Sequence, residues 1–281
     1  MMAEDSDFES ALKATTDLIF LFVGFILNLG IFIVVLSKQR LRNPIGCYTM
    51  SMTIASLLML PIVIEDILKR WFRIEYDPKF YYSFIILEII LHSASLTVAA
   101  FTLDRYIYFC RIDSKWHATV AKTMTAAKTV GSIWCHATIL SIVDVKLYEY
   151  LSDRTSNDVF FWLTGIYVIL PTIVIFFFDF MIGHELFKCR KVITSKWSHQ
   201  DLESLRLLLV LTVGLYTTII PFWIVQIIVS MDPRSCCSHL TMGTIYYLLK
   251  LSSITVPITC IATCQNLRNS LLEMVLCCRE R

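Results

Sequence analysis

Seven stretches of mostly apolar residues, each long enough to cross a lipid bilayer, run through this chain of 281 residues. They lie near Asp17 to Ser37, Gly46 to Ile67, Tyr81 to Phe109, Met124 to Val145, Val159 to Phe187, Ser204 to Met231 and Thr241 to Thr263. A spanning helix needs about 20 consecutive apolar residues, and a backbone in lipid must satisfy its own hydrogen bonds, so runs of this length predict membrane helices. The composition agrees, with 17% charged residues where an ordinary globular chain has about 25%. A mean hydropathy of +0.65 excludes disorder and points away from a soluble enzyme or a nucleic-acid binder. The net charge of +2 is too small to name a partner.

The charges fall between the runs. Lys38, Arg40 and Arg42 follow the first, Arg111, Lys115 and Lys122 the third, Lys188, Arg190, Lys191 and Lys196 the fifth, and Arg268, Arg279 and Arg281 the seventh. The positive-inside rule makes these connections cytoplasmic. The other connections are mixed or acidic, with Glu65, Asp66, Glu75 and Asp77 near the second and Asp144, Glu149, Asp153 and Asp158 near the fourth. The N-terminus is then extracellular and the C-terminus cytoplasmic. Residues 1–16 are acidic and lack the basic start of a cleavable signal peptide, so the first run serves as its own insertion signal. The organisation expected is an extracellular N-terminus over 1–16, a seven-helix domain over 17–263 and a membrane-surface segment over 264–281.

No phosphate-binding glycine loop, HExxH, GxSxG or paired CxxC motif occurs, which leaves no recognisable catalytic mechanism. Most of the ten cysteines lie within apolar runs or beside basic loops. Cys236 and Cys237 alone fall where an oxidising compartment reaches them. There is no Asn-x-Ser/Thr sequon. Cys277 and Cys278 follow Leu271, Leu272, Met274, Val275 and Leu276, a setting that suits S-palmitoylation at a membrane surface.

Local motifs narrow the function. The third run ends in Leu103-Asp104-Arg105-Tyr106, and the first intracellular turn reads Leu41-Arg42-Asn43-Pro44. Asn28 lies in the first run, Trp134 in the fourth, Pro171 in the fifth, Pro221 in the sixth and Pro257 in the seventh, and Asn266-Leu267-Arg268 begins a short amphipathic segment. In order and spacing these residues resemble the rhodopsin-like (class A) G protein-coupled receptors across essentially the whole chain. The resemblance implies an all-α membrane protein, a seven-helix bundle with a short amphipathic C-terminal helix, sited in the plasma membrane. It is then a receptor and not an enzyme, transmitting an extracellular small-molecule or peptide signal to a heterotrimeric G protein, with membrane lipids as its other partners and no cofactor.

The departures from the family are several. The family's cysteine at the outer end of the third helix falls near Phe80, and the connection from Lys146 to Asp158 has no cysteine, so both halves of the usual staple are missing. Ser56 replaces a buried aspartate, Val256 and Cys260 replace the asparagine and tyrosine of NPxxY, Ile219 replaces the toggle tryptophan and Asp179 an activation tyrosine. The sodium-linked polar network of the family then cannot form in its usual way.

The resemblance assigns G-protein coupling and switching to Asp104, Arg105 and Tyr106. Asp201 and Glu203, at the base of the sixth helix, are either a solvated loop face or a second hold on Arg105. A guanidinium always carries charge and presents a planar fork of donors, which suits a switch between partners. Ionisable groups in the outer half are costly and so point to function: Glu88 and His92, four apart on one helix face, and Lys250, close to Tyr246 and Tyr247. Glu88, His92, Tyr247 and Lys250 are therefore candidate ligand contacts, the alternative being that Glu88 and Lys250 neutralise each other. Lys250 also precedes Pro257 by seven residues, the spacing at which opsins carry their retinal lysine, so a retinal-binding photoreceptor is one alternative function, with Glu65, Asp66 or Glu88 as counterion and Ser83 at the usual counterion place. A non-signalling scaffold or decoy is the other, motivated by Ser56, Val256 and Cys260.

Overall fold

A computed structural model describes residues 2–72, 82–150, 165–188, 198–231 and 239–279. Among the described residues the chain is helical without a strand: α1 (Met2–Ser37), α2 (Pro44–Phe72), α3 (Tyr82–Cys110), the single turn α4 (His117–Val120), α5 (Thr123–Tyr150), α6 (Leu170–Lys188), α7 (His199–Thr218), α8 (Ile220–Met231), α9 (His239–Thr263) and α10 (Gln265–Arg279). Seven units are long and apolar enough to cross a membrane, with α7 and α8 acting together as the sixth. The chain is thus a multi-pass, seven-helix membrane bundle. Phe80, Cys236, Cys237, Arg190, Lys191, Lys196, most of the connection after Tyr150 and the side chains of Ser83, Cys277 and Cys278 lie outside the described residues.

The spans match the apolar runs, but the helices overshoot them. Helix α1 extends back to Met2 through the polar segment expected to precede it, and α7 begins at His199 rather than Ser204. Hydropathy locates the part of a helix that lies in hydrocarbon, whereas hydrogen bonding and caps decide where it ends. At α7 the cap is explicit: the Ser198 hydroxyl accepts from the Asp201 amide while the Asp201 carboxylate accepts from the Ser198 amide, a reciprocal capping box. Proline shapes the other interruptions. One π-helical turn, Gly165–Ile169, precedes the buried Pro171, and α7 breaks into α8 at Ile219, two residues before Pro221, where the ring has no N–H to continue the ladder. In the turn between α1 and α2 only glycine fits position 46, since an added Cβ would lie 1.9 Å from the Leu41 carbonyl oxygen.

Helix α3 is the centre of the bundle: 72% of its spanning window is buried, against 17% for α5. Polar side chains fasten the inner helices where apolar packing gains little over contact with lipid. Asn28 donates to the Gly24 carbonyl at 2.7 Å and to the Ser253 carbonyl at 2.8 Å, tying α1 to α9. Trp134 donates to the Ser51 hydroxyl at 3.0 Å, and Ser51 pairs with Thr97 at 2.8 Å, joining α5, α2 and α3. Helix α10 folds back under the bundle with Leu267 and Ser270 buried. Its Glu273 takes Lys38 at 2.9 Å and Arg40 at 3.0 Å from the first intracellular turn. Those hydrogen bonds hold the exposed Glu273 carboxyl below the usual glutamate range.

Candidate functional site: two polar ends joined across a bent helix

At the end of α3, Arg105 is 4% exposed and donates to the Asp104 carboxylate at 2.9 Å. Its guanidinium lies 4.9 Å from the centre of the Tyr108 ring and 5.7 Å from that of Phe101, which supplements one ion pair with two cation–π contacts. Its Nε has no acceptor, so the fork is only partly used. Tyr106 packs on Phe178 of α6, ring centres 4.8 Å apart, and accepts from Arg111 at 3.0 Å.

The expected second hold on Arg105 takes a different form. Asp201 is engaged by the cap, accepting the Ser198 amide at 2.9 Å and its hydroxyl at 2.8 Å, and its carboxylate lies near the Tyr108 side chain. Tyr108 therefore stands between Arg105 and the start of α7, and Arg105 makes no direct ion pair with Asp201 among the described residues. Glu203 is turned away from Arg105 altogether. Its buried carboxylate accepts the Gln265 amide at 3.1 Å and faces His199 at 3.3 Å. The start of α10 offers unpaired N–H groups and the positive end of a helix dipole, which compete for a carboxylate at this place. Tyr108 was legible only as the residue three beyond Arg105 on the same helix face.

In the other half of the bundle Lys250 and Glu88 belong to separate clusters, so they do not neutralise each other. Lys250 donates to Asp17 of α1 at 2.9 Å and lies 2.6 Å from the Asp66 carboxylate of α2, with its ammonium 5.2 Å from the centre of the Tyr247 ring. Asp17 and Lys250 are buried, and Asp66 is 32% exposed. Glu88 instead faces Asp144 of α5, carboxyl toward carboxyl. The reason is angular. A shared face at i and i+4 fixes the direction of Glu88 and His92 together, and the fold turns that direction toward α5 and away from α9.

His92 stacks on Trp223 of α8, ring centres 5.4 Å apart at 14°, and touches Tyr167 at 4.8 Å. Ser141 lies 3.5 Å from its Nδ1. Trp223 meets Phe222 at 5.8 Å and Phe222 meets Tyr246 at 5.7 Å. An aromatic band thus crosses the bundle from Tyr167 to Tyr246, beside the carboxyl pair at one side and the lysine cluster at the other. Trp223 is 3% exposed and stands four residues beyond Ile219, one helical turn from where the family's tryptophan was expected. That spacing was the signal for it; Asp17 and Asp144 had none beyond their charge.

Between the two ends, where Ser56 and Val256 replace the polar residues of the resemblance, the bundle holds a cavity of about 40 Å³ lined by these two and by Met52, Leu91, Leu211 and Thr259 among others. A retinal linkage needs a free amine opening on a large cavity. Lys250 is clasped by two carboxylates, and its amine is not free in this structure. Among the described residues no cluster of three metal-ligating side chains occurs.

Seven spans, a buried arginine near the C-terminal end of α3, a proline-bent sixth span and the amphipathic helix α10 that follows the seventh together define a seven-transmembrane receptor. The model of the 7 transmembrane receptor (rhodopsin family) matches residues 27–259, and the chain belongs to that family, whose members are receptors and not enzymes. Relatives include the thyrotropin-releasing hormone receptor of Gallus gallus, 23% identical over an alignment of 175 residues that covers 54% of this chain and 43% of that protein. The thyrotropin-releasing hormone receptor of Homo sapiens is 21% identical over 54% of this chain and 42% of that protein. The chain spans less than half the length of these relatives.

Proposed function

We propose that the protein carries an extracellular ligand signal across the plasma membrane to a heterotrimeric G protein, with its N-terminus outside. The basic residues Lys38, Arg40, Arg111 and Lys122 lie at the same end of the bundle as Arg105, and the positive-inside rule assigns that end to the cytoplasm. The ligand is a peptide or small molecule entering at the opposite end, where Glu88, His92, Tyr247 and Lys250 offer charge and the aromatic band offers stacking. Palmitoyl groups on Cys277 and Cys278 would hold the end of α10 at the bilayer.

The observation that carries this reading is the Arg105–Tyr108–Asp201 connection between α3 and α7. Ligand contact at Trp223 and Phe222 acts on α8, the bend at Pro221 transmits it to α7, and movement of α7 withdraws Asp201 from Tyr108. Arg105 then exchanges its aromatic and aspartate contacts for carbonyl acceptors on the G protein. A ligand shifts such an equilibrium only by its differential affinity for the two states.

Tyr108→Phe tests this device. It removes the phenol hydroxyl that faces Asp201 and keeps the ring beside Arg105; loss of one polar contact biases the resting state by about 1 kcal/mol, or roughly fivefold in the equilibrium. Ligand-free nucleotide exchange on the G protein is expected to rise by about that factor at equal surface expression. Unchanged or lower basal exchange would remove Tyr108 from the mechanism.

A further inference from the structure

Helix α5 carries a polar face that points out of the bundle. Thr125, Lys128, Thr129, Ser132 and His136 line an open groove of about 510 Å³ beside Leu96 of α3. His136 is engaged at the far end by the Tyr167 hydroxyl at 3.3 Å. Lys128 and Ser132 are exposed, and Thr125 and Thr129 are half-buried. Elsewhere in the spans threonine hydroxyls satisfy themselves on the carbonyl four residues back, as at Thr53, Thr102, Thr138 and Thr255. The three hydroxyls of the groove do not, and neither they nor the Lys128 ammonium make a side-chain hydrogen bond or ion pair among the described residues.

Depth and chemistry together say what the groove accepts. With 28 residues at 1.5 Å each, α5 is about 42 Å long, close to the roughly 40–45 Å of a bilayer with its headgroup regions. Lys128 lies five residues from Thr123, the start of the helix, about 8 Å along its axis. That is the boundary of headgroup and hydrocarbon, where phosphate and glycerol esters sit. An exposed lysine at that depth reaches the headgroup region, where anionic lipid phosphates are its favourable partners. Every free group in the groove is able to donate a hydrogen bond and one is cationic, so the complementary occupant is negative and rich in acceptors. A sterol offers a single hydroxyl and leaves the ammonium unpaired. A second copy of the chain docking symmetrically on this face would set one Lys128 against another.

We propose that this groove is a binding site for an anionic glycerophospholipid of the leaflet at the Arg105 end, its phosphate on Lys128 and its glycerol-ester oxygens on Thr125, Thr129 and Ser132. Basic pockets between membrane helices are a recognised form of lipid headgroup site. The inference needs only that the chain spans the membrane and is independent of whether it couples to a G protein.

Native mass spectrometry of the full chain, released from micelles containing equal amounts of phosphatidylserine and phosphatidylcholine, tests it. The wild type is expected to retain phosphatidylserine preferentially, with the preference falling at least threefold in Lys128→Gln and also falling in Thr129→Val/Ser132→Ala, where the charge is intact. Lys115→Gln, which removes a cation outside the groove, is expected to leave the preference unchanged. Lys128 makes no contact that folding depends on, so its variant reports on binding. Equal preference in wild type and Lys128→Gln, or displacement of the retained lipid by cholesterol, would overturn the proposal.

Discussion

Replacing Lys250 by Met is expected to be among the most damaging single changes in the bundle, at about 3–5 kcal/mol, the usual result of leaving one member of a buried ion pair alone. The ammonium is the shared counter-charge of Asp17 on α1 and Asp66 on α2, so its loss removes the cation from a fully buried carboxylate and sets two negative groups near each other. Since folded proteins are stable by only about 5–15 kcal/mol, the visible outcome is a fall in surface expression and in the melting temperature of the detergent-extracted protein. Adding Asp17→Asn to Lys250→Met should recover a large part of the loss. Asp66→Asn alone should cost less, because a third of that side chain is exposed. If Lys250→Met melts with the wild type, the lysine cluster is not the fastening described here.

Trp223→Ala is expected to cost about 2–4 kcal/mol. In lipid the transfer of apolar surface contributes little, so what remains is the void, at about 24 cal/mol per Å³ of residual cavity, and the lost stacking on His92, about 0.5–1.5 kcal/mol for aromatic pairs in general. Trp223→Phe keeps a ring against His92 and should lie between the wild type and the alanine variant in thermal stability. An alanine variant as stable as the wild type would show that α8 is not held to α3 through this band.

The spans and their order were legible because each depends on a local property, the length and hydropathy of a run. The inner site was half legible. Arg105 and Asp104 are adjacent in sequence and their pairing follows from that. The partners of Asp201 and Glu203 were left open between a solvated face and Arg105, because helix ends compete for carboxylates: Asp201 caps its own helix and Glu203 caps α10 across the bundle. The outer site was legible as a set of residues, but its pairs were not. Nothing local in the sequence brings Asp17 to Lys250 or Asp144 to Glu88, since those contacts depend on how each helix is rotated about its axis. Helical periodicity can say which residues share a face; only packing says what that face meets.

The central claim is that Arg105, held at rest through Tyr108 and Asp201, is the switch by which this receptor activates a G protein. Guanine-nucleotide exchange measured on a panel of purified heterotrimers, with wild type, Tyr108→Phe and Arg105→Ala matched for amount of folded protein in the membrane, tests it most directly. The account predicts that at least one heterotrimer responds, with exchange raised about fivefold by Tyr108→Phe and brought to background by Arg105→Ala. Silence from every heterotrimer even with Tyr108→Phe, or exchange that survives Arg105→Ala, would contradict it, the first result pointing to a seven-helix protein that does not signal.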